Sequence, residues 1–157
     1  NGLAIGGVIA RADLMDCLRA NSISTFGGNP LATAGALASL TYLLEHDLQA
    51  NAAQLGARLL DGLRAVAAAH PVVGDVRGKG LMIALEFVGP DGEPYPAAAT
   101  ALLEETRARG LLVGKGGLYG NVIRLAPPMT LTRAEAEEAL EILTQSIEAV
   151  DKEVQAR

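Results

Sequence analysis

A change of period at Pro71 constrains this chain more than any other feature. Before it, Leu48, Ala52, Leu55, Leu59, Leu63 and Val66 step by three and four, the spacing that lays one apolar stripe along a helix. Pro71 stops that helix because it has no amide to donate and its ring blocks the preceding turn. Beyond it, residues 72–88 carry a strand pattern broken by Arg77-Gly78-Lys79-Gly80, with Leu81 to Val88 the stronger strand and Pro90-Asp91-Gly92 a turn. Asp47 fits the N-cap of the long helix, which would run roughly 35 Å to about Ala69, enough to link two domains. The expected organisation is therefore residues 1–46 as the end of one domain, 47–70 as a linking helix and 71–157 as a small α+β domain.

Other elements follow from the same rules. The run Leu3, Ala4, Ile5, Val8, Ile9 and Ala10 reads as a buried strand, with a helix after it from Ala12 to Ala20 on Leu14, Cys17 and Leu18. A strand buried on both faces needs neighbours on either side. The chain opens on that run without a Met, so it reads as the C-terminal part of a longer protein. Pro30 to His46 is a helix with Ala34, Leu37, Leu40 and Leu44 on one stripe, and Pro96 to Arg109 is another, closed by Gly110 at C′. Leu111 to Val113 and Val122 to Leu125 read as short strands around a glycine-rich loop. Thr132 and Glu135 form a capping-box pattern for a last helix with Ala136, Ala139, Leu143, Ile147, Val150 and Val154 on its seam. The mixture is α/β.

Charge and composition exclude some partners. A net charge of -5 with 13 scattered basic residues gives no footprint for nucleic acid or an anionic membrane surface. The single cysteine, Cys17, cannot close an internal disulfide, no four-ligand Cys/His cluster suggests a metal, and no long apolar span suggests a membrane helix. The expected location is the cytoplasm.

Two segments carry chemistry. Ser24-Thr25-Phe26-Gly27-Gly28-Asn29-Pro30 brings two hydroxyls and two glycines to a helix start. Asn29 fits the N-cap and Pro30 fits N1. Such a turn is either an anion grip, since the first helix amides lack partners, or a plain surface turn. Arg124 sits within an apolar strand just before Pro127-Pro128, where an unpaired charge is costly to bury, so it wants an anion. That anion is either a ligand carboxylate or phosphate, met by the planar guanidinium fork, or an internal acid such as Glu86.

Other candidates are weaker. Gly114-Lys115-Gly116-Gly117-Leu118-Tyr119-Gly120 lacks the Ser or Thr that follows the lysine of a phosphate loop, and reads as a mobile loop near a ligand or as a strand connection. Lys79 reads as a solvated side chain in a strand bulge, His46 and His70 as helix-end residues, and Cys17 as packing.

Taken in order, Ser24 to Pro30, Val76-Arg-Gly-Lys-Gly-Leu-Met82 and Val122-Ile-Arg-Leu-Ala-Pro-Pro128 resemble the class III aminotransferases, the ornithine, acetylornithine and 4-aminobutyrate type of pyridoxal phosphate enzyme. Within that class, Leu112-Val-Gly-Lys-Gly-Gly117 looks most like the mitochondrial-type alanine–glyoxylate aminotransferases. The resemblance covers the whole chain. It implies the C-terminal part of a fold-type-I transferase: the end of the large cofactor-binding domain followed by the small C-terminal domain.

The resemblance also implies roles. Thr25, with Ser24 beside it, matches the residue that hydrogen-bonds the pyridoxal phosphate of the neighbouring subunit, so the site would be shared across a homodimer. Arg124 matches the arginine that clamps the substrate α-carboxylate of an amino acid or oxo acid such as alanine or glyoxylate. The family's Schiff-base lysine lies a few residues before an Asn-Gly that matches Asn1-Gly2, and none of Lys79, Lys115 and Lys152 stands in that position. The 157 residues alone are therefore expected not to transaminate. The alternative reading is a non-catalytic interaction or regulatory module.

Overall fold

The computed structural model describes residues 3–21 and 23–156. The Asn1–Gly2 pair used to place the lysine lies outside them. The chain divides into two compact units, Asn1–Asp47 and Leu48–Arg157.

The first unit holds α1 (Ala12–Met15) and α2 (Pro30–Glu45). Residues 3–10 form no strand and are exposed, against expectation. A strand is stable only when its amides and carbonyls meet a neighbouring strand, and the described residues of this unit contain none. The helix expected over residues 12–20 shrinks to the single turn of α1, and Cys17 is exposed rather than packed, its thiol donating to the Leu14 carbonyl. The Leu37, Leu40 and Leu44 side of α2 is exposed as well, and Ala32 is the only buried residue among those described here.

His46 caps the end of α2 and stacks on Tyr42, with ring centroids 3.9 Å apart. Asp47 has a left-handed φ of 48°. Its backbone is therefore not the extended conformation of the N-cap expected of it.

The second unit lays three helices on one sheet. The helices are α3 (Leu48–Ala69), α4 (Pro96–Ala108) and α5 (Arg133–Gln155), and the strands are β1 (Val73–Lys79), β2 (Met82–Phe87), β3 (Gly114–Gly116) and β4 (Val122–Leu125). All strand pairs are antiparallel, in the order β1-β2-β4-β3. Inward residues of the sheet, including Ile83, Leu85, Phe87 and Ile123, form one core with Leu59 and Leu63 of α3, Leu102 of α4 and Leu143 and Ile147 of α5.

Local chemistry explains the boundaries. Thr132 and Glu135 make a reciprocal capping box at the start of α5. This holds the Glu135 carboxyl below its ordinary pKa, chiefly through the Thr132 amide and then its hydroxyl. The α4 helix ends in a Schellman motif: the amide of Leu111 donates to the Thr106 carbonyl at 2.8 Å and that of Gly110 to Arg107 at 3.1 Å, with Gly110 at φ 91°. The strand bulge lies between Val73 and Asp75 and not at Arg77–Gly80, where Arg77, Gly78 and Lys79 pair regularly with Ala84, Ile83 and Met82. That extra residue lets both Val73 and Val76 face the core although they are three apart. The third strand is Gly114–Gly116 instead of Leu111–Val113, so the first half of the expected mobile loop is a sheet edge.

One close approach fixes α3 against the β1–β2 turn. A Cβ on Gly56 would lie 2.1 Å from the Gly80 carbonyl oxygen, and Gly80 itself turns the chain at φ 56°. Only glycine allows helix and hairpin backbones to touch there.

Candidate active site

In the first unit, Ser24 and Thr25 stand on a turn built by their neighbours. The Gly27 amide donates to the Ser24 carbonyl at 3.1 Å, and Gly28 adopts φ 66°. Asn29 then ties the turn to α2 in both directions: its Nδ2 donates to the Phe26 carbonyl and its Oδ1 accepts from the Ala32 amide, each at 2.9 Å. Pro30 occupies N1, as the sequence indicates. Because the cap takes the Ala32 amide for itself, the turn presents side-chain hydroxyls more than helix amides. Both Ser24 and Thr25 are exposed, and neither hydroxyl bonds to another described residue.

In the second unit, Arg124 lies on β4 between Ile123 and Leu125, which point into the core. Successive residues of a strand face opposite sides, so Arg124 faces outward and is exposed. This corrects the expectation of a buried charge. Its cross-strand neighbours are Ala84 of β2 and Gly114 of β3, and Ala84 is in turn opposite Arg77. One row across the outer face thus reads Arg77, Ala84, Arg124, Gly114.

The two arginines of that row differ. The Arg77 guanidinium donates to Asp75 and to Glu86, both at 2.6 Å, and these bonds, Asp75 first, raise its pKa above the ordinary value. Glu86 is therefore committed to Arg77 and does not form the internal ion pair considered for Arg124. Among the described residues Arg124 makes no hydrogen bond or ion pair. It borders a cleft of about 600 Å³ lined by Leu112, Val113, Gly114, Pro127, Pro128 and Ile142, among others. The exit from β4 is fixed by Asn51 of α3, whose Nδ2 donates to the carbonyls of Met129 at 2.8 Å and Leu131 at 3.0 Å.

Sequence reasoning missed Asn51 and Gly56, both of which act across elements and leave no local signature. It also missed Asn121, which is buried, donates to the Phe87 carbonyl at 2.9 Å and squares β4 against β2. A polar residue between a glycine and an apolar strand was the one available hint. The remaining lysines are exposed: Lys79 ends β1, Lys115 donates to the Thr100 hydroxyl at 2.6 Å, and Lys152 lies on α5. His70 pairs with Asp151 at 3.0 Å. No group of acidic, His and Cys side chains suited to a metal occurs among the described residues, and no helix among them is long and apolar enough to cross a membrane.

The family Aminotransferase class-III matches residues 1–147. The chain is 37% identical over 147 residues to the alanine/serine racemase of Pyrococcus horikoshii, covering 94% of this chain and 31% of that protein. It is 36% identical over 150 residues to the mitochondrial alanine–glyoxylate aminotransferase 2 homolog 2 of Arabidopsis thaliana, with the same 94% and 31% coverage. Among solved structures, the ornithine aminotransferase of Toxoplasma gondii, with pyridoxal phosphate at partial occupancy in its active site, superposes with a TM-score of 0.79. That match has 33% identity and covers 94% of this chain and 34% of that one. The chain thus spans about a third of the length of the curated relatives it matches. With the three motifs, the helix-covered antiparallel sheet and the match over residues 1–147 in agreement, the chain belongs to the class III aminotransferase family.

Proposed function

We propose that this chain supplies the substrate-carboxylate clamp and part of the phosphate grip of a pyridoxal-phosphate-dependent aminotransferase. Such an enzyme moves an amino group from an amino acid such as alanine to an oxo acid such as glyoxylate. The observation that carries this reading is Arg124: an exposed guanidinium without a partner among the described residues, at the edge of a cleft, in a row whose other arginine, Arg77, is already paired with two acids. A carboxylate meeting that fork with two charge-assisted bonds is fixed in orientation as well as bound.

The turn at Ser24 and Thr25 suits a phosphate, because its hydroxyls are exposed and uncommitted while Asn29 holds their backbone. We place this contact across a homodimer, Thr25 reaching the cofactor phosphate of the partner subunit; the exposed Phe26, Leu31, Leu37 and Leu40 beside it support an interface. When bound, pyridoxal phosphate supplies the electron sink for bond changes at the substrate Cα. The three lysines of these 157 residues are all exposed, and none stands where the resemblance puts the Schiff-base lysine, so transamination would need a lysine from outside them.

The test uses the complete enzyme that carries this chain, loaded with pyridoxal phosphate and given L-alanine and glyoxylate. Production of pyruvate and glycine is expected. Arg124→Lys should lower kcat/KM about a hundredfold while the cofactor stays bound, since an ammonium cannot reproduce the fork. Thr25→Ala should instead weaken cofactor retention. Undiminished kcat/KM in Arg124→Lys would remove the clamp assignment. The racemase relative favours a second reading, in which the enzyme interconverts L- and D-alanine; D-alanine formed without any oxo acid, and no pyruvate with one, would establish it.

A further inference from the structure

The clamp reading leaves open why the residue facing Arg124 is a glycine. The usual reason, a left-handed backbone, does not apply, because Gly114 is not among the residues with positive φ. Lack of room for a Cβ does not apply either: a methyl carbon built on Gly114 would lie 3.5 Å from the Arg124 carbonyl oxygen, 3.9 Å from its Nε and 4.0 Å from its Nη2, all ordinary contacts. Those last two distances are the informative ones. They place the guanidinium in van der Waals range of the position that a Gly114 Cβ would take, so that the Arg124 side chain of β4 borders the space that the bare residue of β3 leaves open.

We propose that Gly114 is a positioning residue for Arg124, whose guanidinium lies at the edge of the space that a side chain longer than a methyl would fill. The inference depends on the reading of Arg124 as the carboxylate clamp. A Cβ alone is accommodated, but a γ carbon reaches about 1.5 Å further and enters the space of Nε and Nη2. A branched side chain has fewer rotamers that avoid that space and therefore lifts or turns the fork, and a bidentate contact does not tolerate such a shift. Gly114 borders the same cleft as Arg124, so the displacement acts where a substrate would sit. Ala84, on the opposite flank, has no γ carbon to restrain the fork from β2.

The experiment uses the complete enzyme loaded with pyridoxal phosphate and takes propionate as the probe. Propionate has a carboxylate and no amino group, so its dissociation constant, read by isothermal titration calorimetry, reports the grip alone, whichever amino acid is turned over. Gly114→Ala should stay within about threefold of wild type, whereas Gly114→Val and Gly114→Leu should each weaken propionate about tenfold, with cofactor retention unchanged. In an Arg124→Lys background, Gly114→Val should add no further loss, which distinguishes positioning from general damage. The three side-chain sizes keep the test decisive if the β-branched variant folds poorly. If Gly114→Leu binds propionate as wild type does while Arg124→Lys loses it, Gly114 is no positioning residue and the clamp stands. If Arg124→Lys keeps wild-type propionate affinity, the clamp reading fails as well.

Discussion

The two units use apolar residues in opposite ways. In Leu48–Arg157 the apolar positions face one another, and Leu63, Leu85, Phe87, Leu102, Ile123, Leu143 and Ile147 are completely buried. In Asn1–Asp47 the apolar positions are equally abundant but face outward, with Val8 78%, Phe26 84% and Leu31 70% exposed. The second unit carries its own core. The first displays surface of the kind that proteins ordinarily cover with another element or another copy. The difference teaches that apolar periodicity reports a face to be buried without saying what buries it.

Removing one leucine from each unit gives the largest test of this contrast. Leu63→Ala should cost about 2–5 kcal/mol in urea unfolding of the chain, while Leu37→Ala, at 67% exposure, should stay within about 0.5 kcal/mol. Equal losses would end the comparison. Replacing one helical glycine in each unit comes next. Gly56→Ala should destabilise by about 1–3 kcal/mol despite the gain in helix propensity, because its Cβ meets the fixed Gly80 carbonyl. Gly35→Ala in α2 should be neutral or gain up to about 1 kcal/mol, since its Cβ meets only the mobile end of the Leu3 side chain, at 2.7 Å.

Smaller effects sharpen the contrast further. Asn29→Ala and Thr132→Ala each remove a cap worth about 1 kcal/mol. Thr132→Ala should lower the cooperative unfolding midpoint, whereas Asn29→Ala should appear as lost α2 helicity by circular dichroism with that midpoint held. The smallest effect is acid dependence. The folded state lowers the pKa of Glu135, so its contribution is present above the ordinary carboxylate value of 4.5 and is lost as pH falls through the depressed one. Arg133 lowers that of Glu137 in the same direction. Glu135→Gln should therefore flatten the acid limb of α5 stability, and an unchanged limb would count against the capping box as its source.

Much of the helical skeleton was legible because its signals are local. Asn29 with Pro30, Gly110 after α4 and Thr132 with Glu135 each act within one turn, so residue type and spacing suffice to place them. Sheet detail was less legible. The strand expected at 3–10 failed because pairing needs a partner, which apolar residues do not supply. The bulge moved to Val73–Asp75 because the core had to receive Val73 and Val76 together. The site was legible in residue type and not in setting: Arg124 was recognisable, but its expected burial was not borne out because β4 alternates, and the alternative of an internal pair with Glu86 fails because Arg77 holds that acid.

The sequence alone therefore determined four longer helices, three of their end signals at Asn29, Gly110 and Thr132, the switch to strands at Pro71, and the family, all of which depend on residue types and short spacings. Only the tertiary structure decided which apolar faces form a core, that Gly56 lets α3 touch the hairpin, that Glu86 is held by Arg77 and leaves Arg124 uncommitted, and that the Arg124 guanidinium comes within van der Waals range of a Gly114 Cβ position. Those outcomes depend on distances between residues far apart in the chain, and such distances exist only once the sheet has formed and the helices have packed onto it.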